Sequence, residues 1–228
     1  MRPKRQGALA YPLDAILGRE ANVRVLREMV VHGGYLSSTE VTRRARLTKM
    51  SALSSLHNLE RLQIVETAGS RTAILHKMSD QHPLSKWIVA LFEAEAGRTA
   101  AIFQLVGENA LHAVPNAAAV WVYGSVARNE DGPESDLDVA VVLRDDGDPQ
   151  LVQEDLQSRI AALGEAQKFR PSVVLLNERD VRRLADEGDN WWRAVSAEAK
   201  TIVGETPSAL LSRSKRKSRT ANDQNRIY

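Results

Sequence analysis

The sequence contains no cysteine. Disulfides and thiolate metal sites are therefore excluded, and the composition suits a reducing cytoplasm. No apolar run approaches the roughly 18 residues that a membrane helix needs. The N-terminus, Met1-Arg2-Pro3-Lys4-Arg5, is basic, but no signal-peptide apolar stretch follows it. These absences predict a cytoplasmic protein without a membrane partner. What is present is a 43% hydrophobic content over 228 residues, enough for packed cores in one large domain or two small ones.

The net charge of +2 conceals an asymmetry. Residues 1–80 carry 13 Lys/Arg against 7 Asp/Glu, a net of +6. Residues 81–207 carry 12 against 21, a net of −9, and residues 208–228 carry 6 against 1, a net of +5. A basic head and tail around an acidic middle predict different partners for different parts of the chain.

Residues 1–18 hold Pro3, Gly7, Pro12 and Gly18 and are expected to form a flexible leader. Val23, Leu26, Met29 and Val30 have helical spacing between Arg19 and His32, and Gly33-Gly34 ends that run. Ser37 and Glu40 form a capping-box pattern ahead of a second helix. Thr48 caps a third, with Leu53, Leu56, Leu59 and Leu62 expected along one side. A hairpin pattern follows, Gln63–Thr67 and Arg71–Lys77 around Ala68-Gly69-Ser70. Pro83 opens a helical stretch to about residue 112, as one helix or two broken near Gly97. Its stripe of Leu84, Trp87, Ile88, Leu91 and Phe92 is read as core and as the candidate surface of a homodimer.

Three short helices and a hairpin are the layout of a winged helix-turn-helix. The stretch LTKMSALSSLHNLERLQIVETAGSRTAILHKM resembles that family in its recognition helix and wing. The resemblance implies DNA binding. Lys49, Ser51, Ser54, Ser55 and Asn58 lie off the leucine side, suited to base edges and phosphates, and Arg71 stands at the wing tip. Arg43, Arg44 and Arg46 add charge nearby.

Further on, Ala118–Tyr123 and Leu137–Leu143 read as buried strands, Leu151–Leu163 as a helix, Pro171–Leu176 as a strand and Asp180–Ala199 as helical. The first strand ends in Gly124-Ser125, and Asp136 and Asp138 open the second. Phosphoryl chemistry explains this grouping. Glycine lets the backbone approach a phosphate, and Ser125 adds an N–H and a hydroxyl. Residues two apart on a strand share a face, so Asp136 and Asp138 present paired hard oxygens to Mg²⁺, with substrate phosphates completing the coordination.

The segment VWVYGSVARNEDGPESDLDVAVVL resembles the minimal nucleotidyltransferases of the DNA polymerase beta superfamily, over about residues 100–204. The resemblance implies that Gly124, Ser125 and Arg128 hold a nucleoside triphosphate and that Asp136 and Asp138 are catalytic and bind Mg²⁺ or Mn²⁺. Glu130 stands at the family's glutamate, and Asn129 replaces its usual glycine. The family commonly carries a third carboxylate on the next core strand, and Ser172 stands there in RPSVVLLNERD. A serine hydroxyl is a poor Mg²⁺ ligand and no base near neutral pH. Glu178 and Asp180 are the nearest acids in sequence after it.

The five histidines show no metal-like clustering, and Trp191-Trp192 are expected in a core rather than in a base-stacking platform. The expected architecture is α+β: a leader (1–18), a winged helix-turn-helix (19–80), a helical linker (81–113), a nucleotidyltransferase domain with a small mixed sheet (114–206) and a disordered basic tail (207–228). The implied function is Mg²⁺-dependent transfer of a nucleoside monophosphate from an NTP to a hydroxyl on a protein, a tRNA end or a small molecule. It would be performed by a DNA-binding protein, as in toxin–antitoxin components. The rival expectation is a transcriptional regulator whose transferase-like domain is an impaired nucleotide sensor or dimerisation module.

Overall fold

The computed structural model describes residues 7, 9–70, 73–144 and 149–213. The chain divides into two compact units, Met1–Arg98 and Thr99–Tyr228. Arg71 and the basic run of residues 214–228 lie outside the described residues.

In the first unit, α1 (Pro12–Leu17) and α2 (Glu20–His32) precede a short strand β1 (Leu36–Ser37). Then come α3 (Ser38–Arg44), α4 (Lys49–Arg61) and the strands β2 (Val65–Ser70) and β3 (Ala73–Met78). The three strands form an antiparallel sheet in the order β1-β3-β2. Local chemistry sets the boundaries. Gly33, at φ +71°, ends α2 in the left-handed region. The capping box of Ser37 and Glu40 opens α3, and Thr48 Oγ1 accepts the Ser51 N–H to open α4.

The leader contains more structure than its Pro and Gly content predicts. Ile16 of α1 is buried, and the Asn22 amide donates to the carbonyls of Ala15 and Ile16, fastening α1 to α2. The phase of α4 also differs from the leucine reading. Its buried residues are Ala52, Ser55, Leu56 and Leu59, while Leu53 is exposed. An i, i+3, i+4, i+7 stripe follows the 3.6-residue turn, whereas a strict spacing of three drifts off the face.

Helix α5 (Ser85–Ala113) is continuous through Gly97. Ile88 and Phe92 join the core of the first unit, and Ile102, Val106 and Ala110 join that of the second. Residues 93–101 between them are exposed. Trp87 and Leu91 are the exposed part of the predicted stripe.

The second unit is built on β4 (Ala119–Tyr123), β5 (Asp136–Leu143), β6 (Arg170–Asn177) and β7 (Lys200–Gly204), in the order β6-β5-β4-β7. β4 is antiparallel to β5 and β7, and β5 is parallel to β6 through the crossover helix α7 (Pro149–Gln167). Period-two alternation sorts the side chains. Val120, Val122, Leu137, Val139, Val141 and Leu143 meet α5 and α7. Ala119, Trp121, Tyr123, Ala140 and Val142 meet α8 (Glu178–Asp186) and α9 (Asn190–Glu198). Trp192 packs on Trp121 with centroids 6.1 Å apart, and Trp191 meets Tyr123 edge-on, so both tryptophans serve the core.

Residues 207–213, expected in the disordered tail, are helical. Leu210 is fully buried, and Arg213 bridges Glu178 and Glu205. One leucine and one arginine fasten a segment that composition alone describes as polar. No described helix is long and apolar enough to cross a membrane.

Candidate active site

β4 runs into α6 (Gly124–Arg128) at a backbone position that only glycine fills without strain. Gly124 has φ +74°, and a Cβ built there would collide with Asp138 Oδ2. The turn thus brings the main chain against a carboxylate of β5. Tyr123, one residue earlier, is the register partner of Asp138. Ser125 follows, half-buried. Asn129 ends α6 at φ +57°. That conformation explains how asparagine serves where glycine is usual, since Asn enters the left-handed region more readily than other side chains.

Asp136 and Asp138 share the parity of Ala140 and Val142, so both belong to the face covered by α8 and α9. Asp136 is the more exposed, and Arg170 Nε lies 3.1 Å from its Oδ1. Asp138 is half-buried, and Ser172 is its register partner on β6. Burial pushes the Asp138 carboxyl above its ordinary value. The neighbouring Ser172 hydroxyl opposes this, and the negative charges of Asp136 and Glu198 reinforce it.

Ser172 is the parallel-register partner of Asp138 and shares its face with Leu176. The position where a third acid would stand beside the pair is therefore held by a hydroxyl. Glu178 and Asp180 do not replace it. Glu178 lies six positions beyond Ser172, about 20 Å at the rise of a β-strand. Glu178 is fully buried against Arg213, and Asp180 forms a capping box with Asn177. Both are structural.

Arg128 is tied to two carboxylates, through Nε to Glu130 at 2.7 Å and through Nη1 to Glu198 at 2.6 Å. Glu198 also accepts the Gly124 N–H at 3.0 Å. Sequence reasoning did not single out Glu198. Its only sequence signal is a place in the closing segment that the family resemblance covers.

Among the described residues no group of three or more His, Cys, Asp or Glu is disposed to hold a metal ion. Asp136 and Asp138 fit Mg²⁺ or Mn²⁺ in the more limited sense that two hard-oxygen ligands on one strand face leave the remaining positions to substrate phosphates and water.

The proposed DNA-reading residues separate into two groups. Lys49 and Ser54 are exposed and Ser51 is half-exposed. Ser55 is only 2% exposed, and the Asn58 amide donates to the Ala15 carbonyl at 3.2 Å. The helical phase turns Ser55 inward, which removes it from a contact surface, while half-exposed Asn58 is engaged with α1. Met50, Leu53 and His57 are exposed on α4 and were not predicted.

Residues 108–190 match the family described as polymerase beta, nucleotidyltransferase. No curated protein matches the chain. Among solved structures, a toxin–antitoxin complex with AMP-PNP is 16% identical, covering 54% of this chain and 93% of its own, with a TM-score of 0.36. A mutant of the toxin–antitoxin pair MntA–HpeT is 17% identical, covering 56% and 92%, with a TM-score of 0.33. A protein of Sulfolobus solfataricus named as a nucleotidyltransferase is 18% identical, covering 40% and 78%, with a TM-score of 0.30. Residues 108–190 of the second unit are similar to nucleotidyltransferase domains, and that likeness rests on the family match.

Proposed function

We propose that this protein transfers a nucleoside monophosphate from an NTP to an acceptor hydroxyl, and that its first unit is a winged helix that binds DNA. The observation that carries the enzymatic reading is the convergence of Gly124, Arg128, Asp136 and Asp138 at one end of the sheet. The Gly124 N–H and the Arg128 guanidinium are donors for phosphate oxygens. Asp136 and Asp138 would hold the metal, whose chemistry is to neutralise charge on the triphosphate and the departing pyrophosphate. Ser125 adds a hydroxyl beside the same turn. Incubation with each labelled NTP and Mg²⁺, offering cell lysate, total tRNA and small-molecule alcohols as acceptors, tests the activity. Absence of transfer to every acceptor would leave the nucleotide-sensor reading, which Ser172 beside Asp138 favours.

Removing the paired carboxylates should uncouple nucleotide from metal. In Asp136→Asn/Asp138→Asn, calorimetry should show ATP affinity that no longer improves on adding Mg²⁺. The raised Asp138 carboxyl adds a pH signature. The metal-dependent gain needs the ionised form, so it should fade as the solution is acidified, starting above the range of an ordinary aspartate. Metal-dependent tightening that survives in the folded double variant removes the metal assignment.

The winged-helix reading is supported by the order of helices and strands in the first unit and by its +6 balance. Lys49→Ala in the full chain should weaken binding to all DNA sequences and reduce the logarithmic salt slope by about 1. Asn58→Ala should leave sequence preference unchanged and cost about 0.5–1.5 kcal/mol of stability through the lost bond to Ala15. Relaxed specificity in Asn58→Ala, with stability kept, would return Asn58 to the DNA surface.

A further inference from the structure

Glu198 is the last residue of α9 and lies 74 positions from Gly124. Its two carboxylate oxygens are divided between the two donors that the proposed function gives to the triphosphate. Oε1 accepts the Gly124 N–H at 3.0 Å, and Oε2 accepts Arg128 Nη1 at 2.6 Å. The side chain is 17% exposed, so this contact is partly shielded from water. An anionic oxygen on a backbone N–H and another on a guanidinium is also how a phosphate is held.

The two anions compete. Gly124 has a single N–H, so a phosphate oxygen that takes it displaces Oε1 of Glu198. A triphosphate beside an undisplaced Glu198 would also face a like charge at close range. The backbone permits departure. Ala199 leaves the helix in an extended conformation, and the buried residues of α9 are Trp192 and Val195 rather than its last residue. The side chain can swing out while the helix stays packed.

We propose that Glu198 is an internal anion seated in the phosphate site, and that a nucleoside triphosphate binds by displacing it. This inference rests on the nucleotide-binding reading of the preceding section and adds a regulator to the same site. Glu198 sets the NTP concentration at which the site fills. If the seat is free one-tenth of the time, apparent affinity falls about tenfold below the intrinsic value.

The test is calorimetry of ATP, GTP, CTP and UTP with Mg²⁺ on the full chain. Glu198→Ala should bind its preferred nucleotide about tenfold tighter than wild type. Glu198→Gln should fall between, because its amide oxygen still accepts the Gly124 N–H but carries no charge for Arg128. Asp155→Asn, which removes a carboxylate from exposed α7, should match wild type and control for net charge. Hydrogen exchange on wild type gives a second reading that needs no variant. NTP with Mg²⁺ should speed exchange at residues 196–200 as Glu198 is released. Unchanged or weaker affinity in folded Glu198→Ala and Glu198→Gln, or slower exchange at those residues, overturns the displacement and leaves nucleotide binding standing. If wild type and both variants bind no NTP, the nucleotide reading falls and the displacement falls with it.

Discussion

Arg213→Met should lower the stability of the second unit by about 3–5 kcal/mol, the range seen when one partner of a buried ion pair is removed. The Glu178 side chain is 0% exposed, and Arg213 Nη2 donates to its Oε1 at 2.6 Å. The other oxygen, Oε2, has no hydrogen-bond partner. Without the guanidinium, a carboxylate would remain buried and uncompensated at the end of β6. Methionine keeps most of the length of the side chain, which isolates the loss of charge from the loss of packing. Urea unfolding followed by tryptophan fluorescence suits the measurement, because Trp121, Trp191 and Trp192 pack in the cluster that Leu210 joins. Pairing the change with Glu178→Met should recover most of the loss, since an apolar pair can replace a buried ion pair at little cost. A single variant that unfolds with the wild type would show that Arg213 does not hold residues 207–213 in place.

The same pair shows where the sequence was legible. The nucleotidyltransferase signature could be read because its chemistry is local. Gly124-Ser125 ends one strand, Asp136 and Asp138 open the next, and a period of two places both acids on one face before any packing is considered. The role of Glu178 could not be read this way. The sequence shows it only as one of the nearest acids after Ser172, and the partnership with Arg213, 35 residues later, makes it structural. Glu198 was missed for the same reason, since its partners at Gly124 and Arg128 are 74 and 70 residues away. On α4 the error was one of phase. Leu53 looked like core and Ser55 like surface, and the structure reverses them. Ala52 and Ser55 are small enough to fit where α4 packs closely, and hydrophobicity gives little signal for such positions.

Ser172→Asp should raise the rate of the proposed nucleotidyl transfer, with general-base help typically worth about 10²–10⁴-fold. The strand register supports the position that the family resemblance implies. Ser172 is the register partner of Asp138 on the parallel strand. An aspartate there adds an acceptor for the proton of the attacking hydroxyl and a further hard-oxygen ligand beside the pair. It also adds a negative charge next to Asp138, whose carboxyl is already pushed up by burial and by Asp136 and Glu198. The variant should therefore melt lower than wild type without ligand and recover stability when Mg²⁺ and NTP are added, because binding to the folded state alone stabilises it. Loss of apo stability together with gain of rate distinguishes a restored acid from a general improvement in folding. Single-turnover kinetics at saturating NTP, read beside the melting temperatures with and without Mg²⁺, measures both. If the wild type turns over briskly and Ser172→Asp slows it, the base lies elsewhere, and the position facing Asp138 does not limit the reaction.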